Sequence, residues 1–187
     1  MTTPDEIDGL EPLASVVSRD ERWGFLGNRT LEQHHALITQ YAVHEGVPLA
    51  IRQQYENARN TWLYAFFSYR LLQVALMQVH VAGEAAIKER ARREGINLKS
   101  KQANTLEKLL DMAMARRWLL DANFTVVADV ASCESAGEQD YARRLAAAFR
   151  HIRNSLAHGE VLLDPNLGWA FRAVRDMINQ LFPAPTT

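Results

Sequence analysis

Between Phe149 and Glu160 the chain reads Phe149-Arg150-His151-Ile152-Arg153-Asn154-Ser155-Leu156-Ala157-His158-Gly159-Glu160. Arg150, His151, Arg153, Asn154 and His158 are of the types that handle a phosphodiester. Cleaving RNA without a metal needs a base for the ribose 2′-OH proton, an acid for the leaving 5′-oxygen, and positive charge on the phosphorane. Histidine titrates near neutral pH and suits either proton transfer. Arginine keeps its charge and meets two phosphate oxygens with its planar fork. Asn154 could hold a phosphate oxygen or orient the histidine.

These residues need a scaffold, and the same stretch supplies one. Leu145, Phe149, Ile152 and Leu156 recur at helical spacing and form a narrow apolar stripe. Arg153 falls at the edge of that stripe, while Arg150, His151, Asn154 and His158 take the opposite side. Gly159 reads as the residue just past the helix end, which puts His158 at the last turn. Arg153 and His158 are about 140° apart on an ideal helix, so one helix alone would not aim both at one phosphate unless its last turn unwinds at Gly159. Two copies about a two-fold axis could supply them from both sides. The plain alternative is a solvated helix face whose cations favour a C-terminus, worth about 0.3–1 kcal/mol.

Arg153-Asn154-Ser155-Leu156-Ala157-His158 resembles the Arg-polar-x3-His signature of the HEPN superfamily, small helical domains that include many metal-independent RNases. The apolar residue before the arginine and the closing Ala-His-Gly fit the same pattern. The resemblance implies Arg153, Asn154 and His158 as catalytic residues and a site shared across a homodimer. One subgroup carries a tyrosine two residues after the histidine as the target of a nucleotidyltransferase antitoxin. Here that position is Glu160, which argues against an antitoxin of that type.

At 187 residues, 48% apolar and 23% charged, the chain suits one soluble domain with a sizeable core. A net charge of −1 excludes a bulk electrostatic grip on nucleic acid, so RNA contacts must be local. The lone Cys133 excludes an intramolecular disulfide and fits a reducing compartment. The first thirty residues lack a signal-peptide pattern, so the expected location is the cytoplasm.

The expected fold is all-α, a HEPN-like bundle of about five helices with a long central one. Residues 1–29 form an N-terminal arm, 30–183 the helical domain and 184–187 a tail. Thr30-Leu31-Glu32-Gln33 is a capping box opening a helix from about Leu31 to Glu45. His34, His35 and His44 on it lack the spacing of a zinc site, and no metal or cofactor is expected. From Pro48 to Glu94 the pattern is helical almost throughout, with a break or bend expected near Asn57–Asn60.

Within this stretch, Trp62 to Gly83 is apolar on nearly every side. Ser68, Arg70, Gln73, Gln78 and His80 interrupt it, which favours the buried centre of a bundle and a subunit interface over a membrane span. Lys88, Arg90, Arg92 and Arg93 are the most basic run. They are either a solvated helix end or, with Lys88 and Arg92 as RNA contacts, a phosphate-binding edge if near Arg153. Gly95 ends this helix. Asn104-Thr105-Leu106-Glu107 reads as a second capping box for a helix to about Leu120. Residues 121–133 read as a packed loop, and Ser135-Ala136-Gly137-Glu138 as the box opening the signature helix. Asp164-Pro165 starts a last helix to about Phe182, burying Trp169, Phe171, Val174, Ile178 and Leu181.

The expectation is therefore a homodimeric endoribonuclease of toxin–antitoxin or antiviral defence, with RNA as substrate and an antitoxin or regulatory protein as partner. The rival from another class is a non-catalytic helical module that binds a nucleotide or a protein. A third reading, membrane insertion through Trp62–Gly83, is the weakest.

Overall fold

A computed structural model describes residues 9–27, 29–125, 140–158, 160 and 163–184. Within its helices the side chains at 25, 26, 140, 150, 153, 156 and 157 lie outside this set. The described chain is all-α: α1 (Leu31–Thr39), α2 (Leu49–Tyr64), α3 (Leu71–Arg93), α4 (Leu106–Ala115), α5 (Asp140–Ala157) and α6 (Gly168–Leu181). Short 3-10 turns stand at Glu21–Leu26 and Asp121–Asn123.

The long helix α3 is the centre, packed against α2, α4, α5 and α6. Leu72, Ala75, Leu76, Val79, Ala82, Ala86 and Ile87 are all buried along it. Gly83 is the closest crossing. A β-carbon there would lie 2.8 Å from Met177 Cε of α6 and 3.1 Å from Phe149 Cε1 of α5. A side chain there would have to displace the Met177 methyl and crowd the Phe149 ring, so the glycine lets both helices seat closely on α3 at one level.

The stretch from Pro48 to Glu94 does break, but at Ala65–Arg70 rather than Asn57–Asn60. The cause is tertiary. Trp62 O takes a hydrogen bond from His34 Nε2 at 3.0 Å, Ala65 O one from Trp23 Nε1 at 2.8 Å, and Phe66 O one from the Asp20 N–H at 3.0 Å. Asp20 Oδ2 in turn accepts from the Tyr69 N–H at 2.7 Å. Carbonyls that a continuing helix would have used are thus taken by the N-terminal segment. Trp23 is buried there and packs edge-on against His34 and Tyr69. Residues 20–24 are therefore part of the body, whereas Leu10, Leu13 and Val17 stay exposed.

The break folds α2 back on α3 as a hairpin, and the apolar sides of Trp62–Gly83 meet each other. Trp62 stacks on Phe171 of α6 at 4.6 Å, and Tyr55 Oη donates to Phe171 O at 2.9 Å. The surplus apolar area that pointed to a subunit interface is largely spent inside one chain. No helix among the described residues is long and apolar enough to cross a membrane.

Other boundaries shift for local reasons. α1 ends at Thr39, not Glu45, because Tyr41 turns inward to pack on Trp62 and His44 Nδ1 accepts the Gly46 N–H at 3.1 Å. α3 ends at Gly95 as expected, with φ +71° and the Ile96 N–H returning to Ala91 O at 2.9 Å. α4 stops at Ala115 instead of Leu120. Arg117 takes a left-handed φ of +56°, and the Trp118 N–H closes on Ala113 O at 2.8 Å. Its N-cap is Thr105, one residue later than the box read from Asn104. α6 starts at Gly168, since Asp164 is used instead to accept from Trp169 Nε1 at 3.0 Å, which leaves Trp169 exposed rather than buried. The expected box at 135–138 and residues 126–133 lie outside the described residues.

Candidate functional site

Helix α5 presents the candidate residues because its two faces differ so sharply in chemistry. Leu145 and Phe149 are buried and Ile152 packs half-buried against the core, as the stripe requires. His151, Asn154 and His158 are exposed. Spaced by three, four and seven, they fall within one strip of the outer surface. The side chains of Arg150, Arg153 and Leu156 lie outside the described residues.

The strip ends where the helix ends. The His158 N–H reaches Asn154 O at 2.9 Å, the last regular turn, and the Glu160 N–H returns to Ser155 O at 3.0 Å. A five-residue return of this kind closes a helix C-terminus, so its last carbonyls and their partial negative charge stand beside His158. Ser155, between Asn154 and His158 in sequence, turns inward and is buried.

The start of α5 is anchored from a distance. Asp121 is buried, and its carboxylate accepts the Tyr141 N–H at 2.8 Å and the Ala142 N–H at 2.9 Å. It satisfies donors that the first turn of a helix cannot pair internally. Sequence reading placed Asp121 in a loop of no stated role. Nothing local marks it, because its partners lie twenty residues on.

The position of α5 on α3 fixes what can share the site. His80 of α3 packs on Phe149 with ring centroids 4.5 Å apart, and Gln73 Nε2 donates to Glu160 O at 3.2 Å. Later residues of α5 therefore meet earlier residues of α3: the helices run antiparallel, and His158 lies at the N-terminal end of α3. Lys88 and Arg92 lie toward the other end, about 22 and 28 Å from Gln73 along the axis at about 1.5 Å per residue. The basic run is not beside the α5 terminus. Its charges are paired locally, Lys88 with Glu84 and Arg92 with Glu89. Lys88 and Arg92 instead line a groove of about 600 Å³ between α2 and α3, with Pro48, Gln54 and Val81.

Two buried histidines were not singled out for the site. His34 is enclosed by Trp23, Trp62 and Phe66, and His80 lies in the α3–α5 seam with Nδ1 at 2.7 Å from Leu76 O. Burial pushes both imidazoles below the usual histidine range. Both therefore stay neutral where an exposed histidine would begin to charge.

A second polar cluster surrounds a cleft of about 590 Å³ lined by His44, Asn123, Arg175, Asp176 and Asn179 among others. Asp176 is buried, and its carboxylate takes four hydrogen bonds. Two come from Arg175, at 2.8 and 2.6 Å, and two from Thr125, at 2.8 and 2.7 Å. Arg175 also donates to Gln40 O at 3.1 Å. The acid is saturated by protein donors, so this cluster ties three segments together rather than offering a reactive group. Among the described residues, no three His, Cys, Asp or Glu side chains group so as to hold a metal ion. Comparison of the chain with family models, with curated proteins and with solved structures returns no match.

Proposed function

We propose that the chain is a metal-independent endoribonuclease of HEPN type, acting in the cytoplasm in toxin–antitoxin or phage defence, with its reactive groups at the end of α5. The observation that carries this reading is the exposed strip of His151, Asn154 and His158, on the helix whose sequence spells the Arg153-x4-His158 signature. A histidine at a helix C-terminus is favourable on its own, but the alignment of His151 and Asn154 with it on one exposed strip is what supports a site over a solvated face.

In the proposed reaction the ribose 2′-oxygen attacks phosphorus as its proton passes to a base. The bond from phosphorus to the 5′-oxygen breaks as that oxygen takes a proton from an acid. The products are a 2′,3′-cyclic phosphate and a 5′-hydroxyl. His158 is assigned to proton transfer, Arg153 to the phosphorane charge, and Asn154 to a phosphate oxygen. His151 and Arg150 would hold the flanking RNA. Arg153 and His158 are about 140° apart on an ideal helix, so the reading includes a homodimer in which each copy supplies part of a site.

The distance of Lys88 and Arg92 from this end favours a second reading, a non-catalytic module whose α5 strip binds a nucleotide or a regulatory protein. RNA incubated with pure protein and excess chelator separates them. Fragments ending in 2′,3′-cyclic phosphate are expected. Intact RNA, with tight binding of a nucleotide at the same strip, would replace the nuclease by the module. Cleavage that chelator abolishes would refute the metal-free mechanism.

A further inference from the structure

Trp169 stands apart from the other tryptophans, and we infer that its ring is a stacking platform for one unpaired base of an RNA strand. The inference rests on the RNA reading of α5 and extends it to α6. Trp23 and Trp62 are 2% and 1% exposed, and Trp118 is covered by the guanidinium groups of Arg90 and Arg116 at 5.2 and 5.6 Å. Trp169 is 39% exposed. Its polar atom is nevertheless satisfied. Nε1 donates to Asp164 Oδ2 at 3.0 Å, and Asp164 Oδ1 accepts the Asn166 N–H at 2.8 Å. What the indole offers to an incoming group is therefore π surface, its one donor being already taken.

The ring is also held in place. The bond to Asp164 fixes its edge, and the backbone beside it is fixed by Gly168. A β-carbon at Gly168 would lie 2.7 Å from Oη of Tyr41, a buried residue, so the start of α6 is seated against the core. An aromatic face set in advance loses little freedom when something stacks on it.

The fold brings this ring to the end of the bundle that carries the α5 strip. A β-carbon at Gly83 would lie 2.8 Å from Met177 Cε and 3.1 Å from Phe149 Cε1, so α6 and α5 meet α3 on the same side. From that level α6 runs parallel to α3, since Leu181 O accepts from Arg90 farther along, whereas α5 runs antiparallel. Going back from Met177 to Trp169 and forward from Phe149 to His158 is travel in one direction. The two distances are about 12 and about 13 Å at about 1.5 Å per residue. The chain joining the two helices is tied near both, Glu160 O to Gln73 and Asp164 to Trp169. Those four residues span at most about 14 Å. The ring and the strip thus lie within reach of one short strand.

The surroundings select a base as the part that meets the ring. The Asp164 carboxylate beside it repels phosphate, so the flat, neutral part of a nucleotide fits there, with the backbone passing toward α5. A base held in a duplex has no free face to offer, whereas every unpaired base has one. The platform therefore favours single strands and is indifferent to which base it receives.

Fluorescence anisotropy with the full chain tests this. The probe is a short labelled single strand of mixed sequence carrying 2′-O-methyl on every ribose, which leaves no 2′-OH to attack phosphorus. The wild type should bind it more tightly than the same strand annealed to its complement. Trp169→Ala, and Trp169→Leu, which keeps apolar bulk without a π face, should each bind it about 10-fold more weakly, and Trp169→Phe within about 3-fold of the wild type. A stacking loss leaves the slope of log affinity against log salt unchanged between about 50 and 200 mM, which the loss of a phosphate contact would not. Asp164→Ala, which frees the ring, should bind about 3-fold more weakly, while Asp164→Asn still offers an oxygen to the indole N–H and should not. Undiminished binding by Trp169→Ala and Trp169→Leu, at wild-type thermal midpoints, overturns the inference. So does a wild type that binds no single strand, which would leave the ring for a protein contact. Cleavage of unmodified RNA, run in parallel, keeps the two readings apart. Binding through Trp169 without cleavage retains the platform and removes the nuclease. Cleavage with binding indifferent to Trp169 does the reverse.

Discussion

Helices α5 and α6 each carry a group of polar side chains, and the two groups are built in opposite ways. On α6, Arg175 and Asp176 are turned against the body, and Asp176 is saturated by Arg175 and Thr125. On α5, His151, Asn154 and His158 are turned to water at a helix terminus. A buried polar group must be paired, so pairing on α6 signifies structure. Exposed groups of chemical potential, aligned on one strip, are under no such constraint, and their alignment has to be explained by what they meet. The contrast separates a staple from a candidate site.

It predicts that substitutions in the two clusters will affect different properties. The largest stability effect belongs to α6. Asp176→Ala leaves the half-buried Arg175 without its carboxylate and strips the Thr125 N–H of its acceptor, and should cost about 2 kcal/mol, lowering the thermal midpoint by roughly 4–8 °C for a chain of this size. A loss below about 1 kcal/mol in chemical denaturation would show that the network contributes little. Asp121→Ala is next. It strips two backbone donors at the start of α5 of their acceptor and should cost about 1–2 kcal/mol. Because α5 carries the candidate site, this variant should lose activity on warming sooner than the wild type does, while a site independent of α5 would not follow it.

Much of this contrast was legible in the sequence only on one side. The α5 strip was readable because residues three, four and seven apart share a helix face whatever surrounds them. The Thr30 capping box was readable for the same reason: the Gln33 N–H donates to Thr30 Oγ1, and Gln33 Oε1 accepts the Thr30 N–H. So was the stop at Gly95. The staples were not. Asp176 meets Thr125 across about fifty residues of chain, and no periodicity reports it. The turn between α2 and α3 was misplaced because it contains neither glycine nor proline. It is made by His34, Trp23 and Asp20 capturing carbonyls and an amide from another part of the chain. Whether Lys88 and Arg92 join the site depended on the direction of α5 over α3, which only the fold supplies. The homodimer was expected from apolar surplus in Trp62–Gly83, and the hairpin removes that reason.

A smaller effect comes from the buried histidines. His34 and His80 have pKa values lowered by burial, so the unfolded chain binds protons that the folded chain does not. Their contribution is fully present above the unfolded value near 6.5 and is lost as pH falls below it toward the folded values. Unfolding free energy measured by denaturant should therefore decline between about pH 7 and pH 5. His80→Leu should flatten that decline, and an unchanged slope would mean that His80 does not remain neutral in the folded state.

The most direct test of the account is the cleavage of RNA by the wild type and by His158→Ala, compared at equal thermal stability. His158 is exposed and last in its helix, so its removal should leave the melting midpoint within about 2 °C. Cleavage should fall by about 10²–10⁴-fold, the usual worth of a positioned proton-transfer group. A His158→Ala protein that folds equally well and cuts RNA at the wild-type rate would contradict the claim that the end of α5 is the reactive site.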